Sequence, residues 1–470
     1  MPLRALPRPA ILALVAGAVV AGVLAAVDPM AGLGLAVVVT VALLVQRSRL
    51  DRLGRVGIVL AAVAAVFGPN LALPQAPQIF GFRVLIVLLG LGLVAYLLLD
   101  GRLVIPRGLP RPAALLIALF AWSALSVTWS ESPAAALRWT LFFGMMGGLA
   151  IGLALACRTR QRAVTLLFVL GVTFAFATAV AVAELRFGVR LPTSALLSRG
   201  SDAAFATSLF GNQNNFATYL TLTLPYFLCL PVVFRDARLV VLGIVGGAVT
   251  LAALLFTGSR SNLIAAFLVI AGLVVLLATD RRHRGRLVAA VAVAALAVLL
   301  VVPSLGGGGL IPLPADAVTK LNISLLSQQK SQGLGSGAVR ASVLDEGLGL
   351  VRESDGLGIG AGNAESRIES LANFTGVVNL HNWWLELLVD LGIVGLALFI
   401  AFYLTLFRGQ LRAARRSDDP LVRWLGLSGA LALLGFVVGS LGPSSVIHFA
   451  PMWITYGLGM LTIVLDRRPT

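Results

Sequence analysis

The residues of this chain best suited to chemistry cluster around one histidine. His381 is followed by Asn382, then by nine intervening residues, then by Gly392 and Gly395. An imidazole is neutral near pH 7, which suits it to take a proton from a hydroxyl group. Arg260 stands in the run Thr257-Gly-Ser-Arg-Ser-Asn262, between two apolar stretches joined by almost no loop. A cation in that position is costly unless it is paired or solvated. A planar guanidinium also matches phosphate oxygens through paired contacts. Glu386 and Asp390 follow His381 at i, i+4 spacing, so they share one helical face. Intramembrane carboxylates are functional by default.

Each of these residues has a plainer reading. His381 could be an interfacial residue at a helix start, and Arg260 a snorkelling cation or the partner of a carboxylate. Arg340 and Arg352 lie on a loop, where an exposed arginine is ordinary. Asp390 reads first as a structural partner of an arginine such as Arg138 or Arg260. Glu386 is open between orienting His381 and backing it as a base. Asn212, Asn214 and Asn215 either line a lipid entrance or cap the helix that follows. Arg83, Arg186, Arg190 and Arg199 could border a substrate's approach or snorkel, and His448 reads as an interface residue. No DxD, HExxH or Cys/His cluster stands at metal-ligand spacing outside the apolar runs, so chemistry without a metal or cofactor is the simpler expectation.

These residues must be positioned by a membrane bundle. Of 470 residues, 59% are hydrophobic. Only 12% are charged, against roughly 25% in an average soluble domain. Mean hydropathy is +0.96. The net charge of +16 is carried mostly in short basic segments between apolar runs, so it argues for membrane topology rather than nucleic acid. Stretches long enough to cross a bilayer fall at 10–27, 31–46, 54–73, 82–99, 112–129, 138–156, 163–184, 213–231, 238–257, 261–279, 286–302, 383–407, 421–440 and 447–465. The expected fold is therefore all-α, a polytopic bundle of about 12–14 helices. The first stretch could pass for a signal peptide, but the topology requires it as a retained span.

Arginines mark alternate connections: Arg47 to Arg55, Arg102 to Arg111, Arg158 to Arg162, Arg235 and Arg238, Arg281 to Arg286, Arg408 to Arg416, and Arg467 with Arg468. By the positive-inside rule both termini are cytoplasmic. The long polar connection 303–380 then lies outside and divides the chain into helices 1–302, a loop 303–380 and helices 381–470. That loop holds a glycine hinge, Gly306–Gly309, and both lysines, Lys320 and Lys330. Val339 to Val351 reads as a short helix with Val343, Leu344, Gly347, Leu348 and Val351 on one stripe, followed by a tight glycine turn at 356–363. Arg260, Arg340 and His381 all fall on the outer side.

The spacing His381-Asn382-x9-Gly392-x-x-Gly395 resembles the H-[NSQ]-x9-G-x-x-G pattern of the O-antigen ligase and O-antigen polymerase superfamily. Three further segments are similar to that family: the Asn-rich stretch 210–225, the Arg-bearing turn 257–262, and the loop segment 339–363. Family members often carry an aromatic residue shortly after the loop arginine, where this chain has Ser342-Val343-Leu344. The resemblance implies a GT-C-like enzyme of the bacterial cytoplasmic membrane with its site on the outer face. It implies a glycan donor on an undecaprenyl-diphosphate-type carrier, membrane lipids as surroundings, and a glycan, lipid or protein acceptor. In that reading His381, with Glu386, is catalytic. Arg260 and Arg340, or Arg352 in the same helix, bind the diphosphate. Asn212, Asn215, Asn382, Gly392 and Gly395 form the motif and lipid pocket. Ligation, polymerisation of O-antigen, capsule or teichuronic acid, and transfer to protein remain open. Outside that class, a polysaccharide or lipid transporter would require inverted repeats and mid-span polar residues, and a cell-wall polymerase would rely on a loop carboxylate such as Asp345, Glu346 or Asp355.

Overall fold

A computed structural model of the chain describes residues 47–73, 76–100, 110–198, 205–279, 336–371, 379–443 and 446–467. The expected spans 10–27, 31–46 and 286–302 lie outside these residues, as do Gly306–Gly309, Lys320, Lys330 and Arg199. Among the described residues, nine helices are long and apolar enough to cross a membrane, and two shorter apolar helices accompany them. The protein is a multi-pass, all-α membrane bundle.

The chain forms two compact units, residues 1–109 and 110–470. In the first, helices α1 (Arg47–Phe67) and α2 (Gly81–Asp100) flank a small hairpin of β1 (Ala72–Leu73) and β2 (Ala76–Phe80). Arg83 lies 4.8 Å from the centroid of the Phe80 ring, a cation–π contact rather than a free outer charge.

The second unit runs through α3 (Arg111–Leu125), α4 (Pro133–Ala156), α5 (Arg160–Phe187), a one-turn α6 (Ala195–Ser198) and α7 (Gln213–Leu228). Next come the one-turn α8 (Leu230–Val233), α9 (Ala237–Leu255) and α10 (Arg260–Thr279). The loop helices are α11 (Ser336–Glu353) and α12 (Asn363–Leu371), and the chain closes with α13 (Trp383–Arg416), α14 (Pro420–Gly439) and α15 (Ala450–Asp466). The pattern inside the helices is that of a membrane protein: small residues face inward and large apolar ones outward. On α9, Gly243 and Gly246 are buried against Phe227, while Val241, Leu242, Ile244 and Val245 are exposed. On α5, Val164, Phe168, Val172 and Phe176 recur every fourth residue as an exposed apolar stripe. Gln410 of α13 is buried against Gly426 and Gly429 of α14 and Gly459 of α15, whose missing side chains let three helices approach. Trp383, Phe399, Phe402, Tyr403, Trp453 and Tyr456 interlock beside it, mostly edge to face. The Tyr403 hydroxyl donates to the Leu433 carbonyl.

The expected stripe on α11 is split between two surroundings. Val343 and Leu350 are buried in a cluster with Ile359, Ile368, Leu380, Leu385 and Val389, whereas Leu344 and Leu348 are exposed. The helix docks on the bundle through the i, i+4, i+7 positions 343, 347 and 350, and its other leucines turn away. A pattern of apolar residues alone does not distinguish a protein-facing from a lipid-facing position.

Two sets of contacts fix which helix ends lie together. Arg160 at the start of α5 pairs with Asp419 before α14 at 2.7 Å, joining two Arg-rich connections. At the opposite ends, the α3–α4 turn bonds the loop between α11 and α12: Trp129 Nε1 donates to the Gly358 carbonyl (3.2 Å), and the Ser132 amide donates to Asn363 Oδ1 (2.8 Å).

Candidate active site

His381 sits immediately before α13 with φ 48°, a left-handed conformation uncommon outside glycine. Asn382 is the helix N-cap, its Oδ1 accepting from the Leu385 amide at 3.3 Å. The cap fixes the first turn, and the half-buried imidazole stands on the left-handed residue just before it. Its Nδ1 lies 3.2 Å from the Pro443 carbonyl oxygen. A carbonyl only accepts, so this contact keeps the proton of a neutral imidazole on Nδ1 and leaves the basic lone pair on Nε2. The contact that orients His381 is thus a backbone carbonyl on the turn after α14. Glu386, expected as a possible orienting group, is half-buried in the first turns of α13, beside the carboxylates of Asp390 and Glu365.

The turn that ends α14 collects the other motifs. Asn262, two residues beyond Arg260, holds its Nδ2 near Gly442, where a Cβ would come within 2.7 Å. Its Oδ1 accepts from the Thr221 hydroxyl of α7 at 3.2 Å, and its Nδ2 donates to Ser259 Oγ at 3.1 Å. Thr218 of α7 donates to the Gly439 carbonyl at 3.3 Å. The N-terminal ends of α7, α10 and α13 therefore all meet residues 439–443. Arg260 is the first residue of α10 and half-buried. Asn212 caps α7, its Oδ1 accepting from the Asn214 amide at 2.8 Å. Asn215, in the first turn of the same helix, holds a buried Oδ1.

The loop arginines sit on either side of the docking point of α11. Gly347 packs on Leu380 and Leu385, the neighbours of His381 in the chain, where a Cβ would lie 2.8 and 3.1 Å from their methyls. Arg340 precedes that contact by seven residues, and Arg352, exposed in the last turn, follows it by five. Their separation of twelve residues is about 18 Å along the helix.

The two glycines of the motif have a clear structural reason. At Gly392 (φ 68°, ψ −169°) α13 leaves helical geometry, and a Cβ there would collide with the carbonyls of Gly356 and Leu357. At Gly395, one turn on, an added Cβ would meet Leu391 and come within 3.3 Å of the Trp122 ring. The glycine turn 356–363 lies in this break, with Gly356, Gly358, Gly360 and Gly362 all at positive φ.

Several positioning groups were not singled out from sequence: Asn262, Thr218, Thr221, Asn363, the Pro443 carbonyl and Glu184. Asn262 carried a signal, a polar side chain two residues into an otherwise apolar helix. So did Glu184, a lone carboxylate in a span. It is buried and accepts from the Thr207 amide (2.7 Å), the Thr207 hydroxyl (2.6 Å) and the Ser208 amide (2.7 Å), which holds the segment leading to Asn212. Arg190, considered as an approach residue, donates to the Phe205 carbonyl at 3.2 Å in the same segment. Asp390, expected to pair with an arginine, instead accepts from the Ala364 amide at 2.8 Å.

Comparison with known proteins bears on the same region. Residues 239–400 match the family described as O-antigen ligase. That range contains Arg260, Arg340, Arg352, His381, Glu386, Gly392 and Gly395. The matched residues are similar to the O-antigen ligase/polymerase superfamily. A curated relative, the teichuronic acid biosynthesis protein TuaE of Bacillus subtilis (strain 168), is 24% identical over 271 residues. The match covers 56% of this chain and 53% of the relative, so the chain spans about half the length of that protein.

Proposed function

We propose that this protein is an inverting glycosyltransferase that moves a glycan from an undecaprenyl-diphosphate-type carrier to an acceptor hydroxyl at the outer face of a bacterial cytoplasmic membrane. The observation that carries the reading is the His381–Pro443 contact, which leaves Nε2 basic at the turn where the Arg260 segment also arrives. His381 Nε2 takes the hydroxyl proton as the acceptor oxygen attacks the anomeric carbon. The bond from that carbon to the carrier oxygen breaks, and the diphosphate leaves with the electron pair. Arg260 and Arg340 hold the departing charge, with Arg352 as the alternative to Arg340. A single displacement inverts the anomeric centre. Guanidinium groups do the work that a metal does in other phosphate-leaving reactions, so the reaction runs without one. Glu386 supports the acceptor side, and Asn212 and Asn215 line the approach of the lipid. In this reading the Arg-rich connections lie inside, and with them both chain termini.

The test is transfer in proteoliposomes from an undecaprenyl-diphosphate-linked glycan, comparing wild type with His381→Ala and Arg260→Ala. Loss of turnover in folded variants that still bind donor supports the mechanism. Full activity of His381→Ala would sink it. The similarity to TuaE favours a second reading of the acceptor, in which the glycan passes to another lipid-linked chain and the product is a polymer. Product length distinguishes the two: a ligase gives one addition per acceptor, a polymerase a ladder.

A further inference from the structure

Asp390 is 1% exposed and sits nine residues after His381 on α13. Its Oδ1 accepts from the Ala364 amide at 2.8 Å, and the amides of Gly362 and Asn363 bond it as well. These amides open α12, where the first N–H groups have no partner inside the helix and carry its positive end. The carboxylate of one helix therefore caps another.

The cap is one part of a larger joint. At the break of α13 at Gly392, the carbonyls of Val389, Asp390 and Leu391 find partners outside their own helix. They accept from the Ile359 amide (2.9 Å), the Gly360 amide (3.0 Å) and Trp122 Nε1 (2.8 Å). In return the Ile393 amide donates to the Gly356 carbonyl at 2.9 Å. On its far side the same loop is bound to the α3–α4 turn, where Asn363 Nδ2 donates to Ser130 Oγ at 2.6 Å and the Ala361 amide to Ser126 Oγ at 3.1 Å. The loop that follows α11 is thus stitched into a gap in the helix that begins at His381.

We propose that Asp390 is a positioning residue for the transfer reaction. By holding the start of α12 it fixes the glycine loop, and through that loop the arginine-bearing helix α11, in register with His381. This rests on the transferase reading above. It accounts for a carboxylate at this place without giving it contact with substrate. It also explains why the motif couples a histidine to a glycine eleven residues on: the break at Gly392 admits the loop that Asp390 secures.

The experiment uses the full chain in proteoliposomes with the undecaprenyl-diphosphate-linked glycan as donor, and compares Asp390→Ala and Asp390→Asn with wild type. Backbone hydrogen exchange at residues 359–364 is followed alongside turnover. Asp390→Ala is expected to speed exchange at residues 362–364 and to lower kcat by about 10–100-fold, the scale of an ångström-level misplacement, with a smaller change in the KM for acceptor. Asp390→Asn keeps an acceptor oxygen and is expected to recover part of the protection and most of the turnover. Faster exchange with wild-type kinetics in Asp390→Ala overturns the proposal, since the cap would then be structural only. Unchanged exchange overturns it too. If Asp390→Ala does not fold, Asp390→Asn decides: intermediate protection with reduced kcat supports the role, and intermediate protection with unaltered kcat refutes it. A wild-type chain that transfers nothing sinks the transferase reading along with this one, whereas an active wild type with indifferent variants sinks this one alone.

Discussion

The two ends of the 110–470 bundle are built in different ways. At the Arg-rich end, connections are short and close by familiar local devices: Thr159, Asp236 and Asp419 cap the helices that follow them, and Arg160 pairs with Asp419 across the end. At the other end, side chains from distant segments satisfy one another's backbone. Every described residue of this unit with left-handed φ lies at that second end or within three turns of it: Gly188, Ser208, Gly211, Gly258, Asp355, Gly356, Gly358, Gly360, Gly362, His381 and Gly392. Strained or glycine-dependent backbone persists only where surrounding contacts over-determine it. One end of the bundle serves topology. The other holds atoms in places that ordinary helix ends cannot reach, as a site must.

That contrast can be broken or sharpened by substitution. The largest effect is expected for His381→Ala, a fall in kcat of about 10²–10⁴-fold with donor binding retained, the usual contribution of a general base. Single-turnover transfer and a separate donor-binding titration check it. Gly392→Ala should destabilise the fold by about 3 kcal/mol, because a left-handed residue and two carbonyl collisions act together. Gly171→Ala on the exposed face of α5, with nothing within 4 Å of the added carbon, should be neutral or slightly stabilising. Thermal unfolding in detergent compares the pair, and equal melting points would contradict the contrast drawn here. Arg260→Lys keeps the charge but loses paired contacts, so kcat/KM should drop about 10–100-fold. Wild-type kinetics in this variant would return Arg260 to a snorkelling role. The smallest effects belong to the Arg-rich end. Asp419→Ala removes a cap as well as an ion pair and should cost about 1 kcal/mol. Arg160→Ala removes only a largely exposed partner and should cost a few tenths of a kcal/mol. A larger loss for Arg160→Ala than for Asp419→Ala would mean that the pair, not the cap, matters there.

Most of the spans were legible because a bilayer imposes a rule on local sequence: about 20 apolar residues, with cations on one side. The expected 213–231, 238–257 and 261–279 appear as Gln213–Val233, Ala237–Leu255 and Arg260–Thr279. The boundaries of α4, α5 and α13 run several residues past the expected ones, since helices extend beyond the apolar core into the interface. The motif residues were legible through type and spacing. Their partners were not, because no local pattern says that Asn262 will meet Gly442, or that His381 will face the Pro443 carbonyl, 62 residues away.

Asp390 shows the dividing line most clearly. Sequence alone determined that a carboxylate lies within an apolar helix and must have a partner, since an unpaired charge there is too costly. It also determined that Gly392 and Gly395 recur three apart beyond a histidine. Only the tertiary structure decided that the partner is the start of another helix rather than an arginine, and that Gly392 is where a loop enters the helix. Local composition sets the cost of burying a group, but which donors reach it depends on how helices far apart in the chain are packed together.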